Sequence, residues 1–160
     1  MQKPWKILSK SKYNNIQECL NDLKKNKVIV SHWIFDIIKN KKNKIHITKA
    51  KIKLFRVKVK NLGFNKPTTL KKIYQKIEKL NYKLVPVDIA IRSRLAYKKQ
   101  KKGEWLRIAT NMTSMIDSDN VPHLPKLGKA LNKMFIETYW AYPGAIFHPH
   151  NEFVVCKYDI

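Results

Sequence analysis

The sequence predicts an α+β domain: short N-terminal helices followed by a mostly antiparallel sheet packed by one main helix. Three observations lead there. Apolar residues recur at helical spacing before residue 39, the apolar period shifts to two after Ile45, and helical patterns precede the strands instead of alternating with them. The 160 residues, 44% of them apolar, match one ordinary domain with enough material to bury a core. Residues 1–160 are therefore expected as a single domain, with 1–38 a helical N-terminal subregion and 45–160 the α+β main body.

Residues 5–9 suit a short strand. Ile16, Cys19, Leu20 and Leu23 then mark an amphipathic helix over 14–25 that ends near Asn26. Val28-Ile29-Val30 is a brief apolar run. Ser31 follows as N-cap of a second helix carrying Ile34, Ile37 and Ile38. The segment Lys39–Lys44 has no apolar residue and reads as an exposed loop. Ile45 and Ile47, then Ile52 and Leu54, then Phe55, Val57 and Val59 alternate with polar residues. The apolar phase flips between Leu54 and Phe55, which means a bulge or a strand covered on both faces. Pro67-Thr68-Thr69 opens the clearest helix, with Leu70, Ile73, Tyr74, Ile77 and Leu80 as its buried stripe. Pro86 starts a short helix reaching Ala90 or Ile91.

Residues 93–110 read as a hairpin, Ser93–Tyr97 and Glu104–Thr110 around a polar loop Lys98–Gly103. Residues 111–129, with two prolines, a glycine and Asp117-Ser118-Asp119-Asn120, read as a long surface loop. Lys133–Trp140 and Glu152–Lys157 are the last strands.

The net charge of +23 is the footprint of a nucleic-acid binder, because each phosphate neutralised releases counterions. Of the 34 basic residues, however, 30 are lysine, and Asn and Ile are also abundant, the composition an AT-rich genome produces. The charge thus permits nucleic-acid binding without requiring it. No apolar run is long enough to cross a bilayer, and the N-terminus lacks an apolar segment after its first lysines. A cytoplasmic chain without membrane contact is expected, with Cys19 and Cys156 as buried free thiols.

Leu62-Gly63-Phe64, Ile73-Tyr74, Val85-Pro86-Val87, Arg94-Leu95-Ala96-Tyr97, Gly103-Glu104-Trp105-Leu106, Asp117-Ser118-Asp119 and Phe153-Val154-Val155 follow one another in this order. In that succession the chain resembles a family of bacterial hypothetical proteins over residues 50–157. The family has no established activity, so the resemblance implies a shared fold and brings no catalytic residue. Its members are much less basic, a departure that favours compositional bias as the origin of the charge.

In a chain so rich in lysine, an arginine marks a position that needs a planar guanidinium. Arg92, Arg94 and Arg107 lie within sixteen residues. In the expected hairpin Arg94 stands opposite Arg107, and like charges across a ladder are destabilising. An anion is needed there: a phosphate, a ligand carboxylate, or an internal acid such as Asp88, Glu137 or Glu152. Trp105 shares that face and offers a stacking surface. Lys98, Lys99, Lys101 and Lys102 in the loop, with Lys71 and Lys72 on the main helix, extend the positive surface.

No metal is expected. Pro149 makes His148-Pro149-His150 a loop, and His123 has no partner at ligand spacing. No cofactor is expected either, since the four glycines form no phosphate-binding loop. The leading expectation is a non-enzymatic protein that binds RNA or single strands through Arg92, Arg94, Arg107, Trp105 and the flanking lysines. A small metal-independent ribonuclease of toxin or effector type, drawing on His148, Glu104, Glu137, Arg94 and Arg107, is the second. A protein-interaction or regulatory domain whose charge is compositional is the third.

Overall fold

The structure, a computed structural model, describes residues 2–158. In chain order its elements are β1 (Lys6–Leu8), α1 (Ile16–Lys25), β2 (Ile29–Val30), α2 (His32–Lys39), β3 (Ile52–Lys58), a 3-10 turn (Val59–Leu62), β4 (Thr68–Thr69) and α3 (Leu70–Lys79). There follow α4 (Val87–Ala96), β5 (Trp105–Ile108), β6 (His123–Ala130), β7 (Lys133–Trp140), β8 (Ile146–Phe147) and β9 (Glu152–Tyr158). Seven strands form one sheet in the order β1-β3-β9-β5-β6-β7-β2, and β4 pairs with β8 in a separate ribbon. All pairings are antiparallel except β5–β9 and β2–β7. The fold is α+β.

Local chemistry accounts for the helices. Asn15 accepts the Glu18 N–H at the start of α1, Ser31 that of Trp33 in α2, and Thr69 that of Lys72 in α3. Each buries the stripe its spacing predicts: Cys19, Leu20 and Leu23 in α1, Ile34 and Ile37 in α2, Leu70, Ile73, Tyr74 and Ile77 in α3. Leu80 instead caps α3 and is exposed.

The sheet separates two cores. Leu54, Leu106, Leu127, Ile136 and Val154 meet α1, α2 and α4 on one face; Phe55, Val57, Leu124, Phe153 and Val155 meet α3 and Phe147 on the other. The phase change between Leu54 and Phe55 is therefore a strand covered on both faces. Four helices divide the packing, in place of a single main one. The segment 1–38 also contributes strands, with β1 on β3 and β2 on β7 at the two ends of the sheet. Ile45 and Ile47 lie in irregular chain outside any strand.

Two expectations are overturned. Residues 93–110 are no hairpin, because α4 continues to Ala96 and β5 pairs with β6 and β9. Helix α4 is enclosed, with Val87–Ile91, Ser93 and Arg94 all buried, so it carries no polar stripe at helical period and its end mimics alternation. Residues 111–129 are not a surface loop throughout, since β6 is an internal strand. Pro125 misled: it pairs with Thr138 of β7, while β5 pairs only with 126–128, so the missing N–H falls beyond the end of the β5 ladder.

Candidate nucleic-acid interface

The α3 layer covers the β3–β9 side of the second face, and the β5–β6–β7 part of that face is only partly covered. Strand alternation brings Trp105 and Arg107 of β5, Lys126 of β6, and Phe135, Glu137 and Tyr139 of β7 to it, all partly buried. Gly128 pairs with Trp105, and a Cβ there would lie 2.2 Å from the indole ring. The indole lies flat on bare backbone. Glycine makes the platform possible.

Arg107 pairs with Lys126, and Lys126 with Glu137. The Lys126 ammonium sits 4.6 Å from the Trp105 ring centre and 5.8 Å from that of Tyr139. The Arg107 guanidinium lies 5.7 Å from both Tyr139 and Phe147. These distances suit cation–π attraction, worth about 0.5–1 kcal/mol at exposed sites and more when desolvated. Among the described residues no carboxylate forms an ion pair with either cation, and Arg107 Nε is buried without a hydrogen-bond partner. Burial lowers the pKa of Arg107; burial lowers that of Lys126 too, and Arg107 lowers it further against the opposing pull of Glu137. Two cations are held together where each would be eased by an anion.

The other expected residues scatter. Arg94 does not face Arg107: it lies on α4 and is 1% exposed. Its Nη1 donates to Gln100 Oε1 (2.6 Å), Gly128 O (3.2 Å) and Phe135 O (3.1 Å), and its Nη2 to Tyr97 O. Burial among these neutral acceptors draws its pKa down to about 10. Arg94 is therefore enclosed and cannot meet an outside ligand: both Nη atoms are bound to neutral oxygens, and its Nε is buried without a hydrogen-bond partner. Arg92 lies apart from Arg107, with Nη2 donating to Ser9 O (3.0 Å) beside β1 and Nη1 buried without a partner. Lys71 and Lys72 are exposed in the first turn of α3.

Lys98, Lys99, Lys101 and Lys102 are exposed on the loop that leads into Trp105. Gln100 anchors that loop by donating to Glu104 O and Leu127 O, and Gly103 N–H donates to Lys129 O. Gly103 has φ +81, a left-handed conformation that glycine adopts without strain. The lysine loop thus borders the Trp105 end of the face.

Sequence reasoning missed Lys126 and Gly128 because Pro122 and Pro125 hid β6. It also passed over Arg56, which makes a two-pronged pair with Glu152 (Nε to Oε2 2.8 Å) and lies 3.3 Å from Glu104. Tyr97 bridges this cluster, accepting from Arg56 and donating to Glu104. Glu104 and Glu152 are thereby tied to Arg56. His148 and His150 stack in a turn, and the described residues hold no group of three or more metal-ligating side chains. No protein-family model, curated protein or solved structure matches this chain.

Proposed function

We propose that the protein binds single-stranded nucleic acid, RNA foremost, on the open β5–β6–β7 face. One observation carries this reading: Arg107 and Lys126 oppose each other across the ladder, stacked on aromatic rings and without an ion-paired acid. A phosphate is the anion that this arrangement accommodates, and Trp105 and Tyr139 supply π-faces for bases. The loop Lys98–Lys102 and the net charge of +23 add a non-specific field along the strand. Stacking and phosphate contacts need no base-edge readout, so weak sequence preference is expected.

Fluorescence anisotropy with mixed-sequence RNA and DNA oligonucleotides over a salt series tests this. Binding should weaken steeply with salt, and Arg107→Ala with Lys126→Ala together should weaken it far more than Lys24→Ala with Lys25→Ala on α1. Equal losses from the two pairs would remove the face from the reading and leave only diffuse charge.

A further inference from the structure

A second constellation lies on the opposite face of β6 and β7. Asp117 and His123 are 2% and 3% exposed. Asp117 Oδ1 accepts the N–H groups of Asp119 (2.8 Å) and Val121 (2.9 Å), and Oδ2 lies 2.8 Å from His123 Nε2. His123 Nδ1 lies 2.9 Å from Thr138 Oγ1. An ionised carboxylate only accepts, so Nε2 carries the hydrogen; in the neutral ring Nδ1 is then bare and the Thr138 hydroxyl donates to it. Trp33 packs on the imidazole at 5.4 Å and shields it.

The Thr138 end of this relay is open. A cavity of about 550 Å³ adjoins it, lined among others by Ser31, His32, Trp33, His123 and Trp140. Strand β2 pairs with β7 only at Phe135 and Ile136, and the last bond is Ser31 N–H to Ile136 O. By alternation the N–H groups of Thr138 and Trp140 point to the same unpaired edge.

We propose that Thr138 is the nucleophile of an acyl-transfer site, and that the cavity takes an uncharged carboxylic ester with an apolar or aromatic acyl group. The aromatic walls suit such a group. Thr138 Oγ1 bonds to the carbonyl carbon as its proton passes to His123 Nδ1. The C–O bond to the leaving alcohol breaks, and that alcohol takes the proton from His123. Water, deprotonated by His123, then releases the carboxylic acid and restores Thr138. The outward N–H of Thr138 is placed to steady the oxyanion. Asp117 is a positioning residue that holds the tautomer.

The full chain, treated with a fluorophosphonate probe, should gain one adduct that peptide mass spectrometry assigns to Thr138. It should also hydrolyse p-nitrophenyl butyrate with a rate that rises as an imidazole deprotonates. Thr138→Val should abolish both and Thr138→Ser retain both. Asp117→Asn should slow turnover by about 100-fold or more and distort the pH profile. A wild-type chain that stays unlabelled, carries its label elsewhere, or hydrolyses no faster than Thr138→Val overturns the proposal; the wild-type result stands even if a variant fails to fold.

Discussion

Arg107 stands directly opposite Lys126 on the β5–β6 ladder, and each cation lies against an aromatic ring without an ion-paired carboxylate among the described residues. Like charges in this register cost up to about 1 kcal/mol. Arg107→Met keeps an apolar stem on Tyr139 and Phe147 while removing the repulsion. It should leave stability unchanged or raise it by up to about 1 kcal/mol in urea titrations, while reducing RNA affinity. Lower stability together with unchanged affinity would mark Arg107 as a packing residue.

Gly128→Ala tests the platform beneath Trp105. The new Cβ would fall within the ring's volume, so the indole must leave its seat. A loss of about 1–3 kcal/mol is expected, with a red-shifted tryptophan emission and weaker RNA binding.

Arg94→Lys should be damaging although it preserves charge. Lysine has no planar fork to reach Gln100, Gly128, Phe135 and Tyr97 at once, so buried acceptors lose their donors. A destabilisation of about 3 kcal/mol is expected by chemical denaturation, with RNA affinity of the folded fraction unaltered. The separation of these two readouts distinguishes Arg94 from Arg107.

Acid should weaken the fold through Asp117. Burial raises its pKa, but hydrogen bonds from His123 and from the N–H groups of Val121 and Asp119 outweigh this and leave it below the ordinary value. A carboxyl depressed in the folded state contributes stability fully above its unfolded pKa of about 3.9 and loses it as pH falls through the folded value. The urea midpoint should therefore drop between pH 7 and pH 3, and drop less in Asp117→Asn.

By itself the sequence determined the α+β class, helices α1 to α3 with the Ser31 cap of α2, and strands β7 and β9, because apolar period and capping chemistry are local properties. It also singled out Trp105 and Arg107, but through a pairing of Arg107 with Arg94 that the fold does not contain. Only the tertiary structure decided what stands opposite Arg107. Helix α4, buried all round, has no polar stripe to betray it, and β6 carries a proline, Pro125, that is harmless because β5 ends beside it. Register across a sheet depends on strands distant in sequence, so the exchange of Arg94 for Lys126 as the facing cation could be settled only in three dimensions.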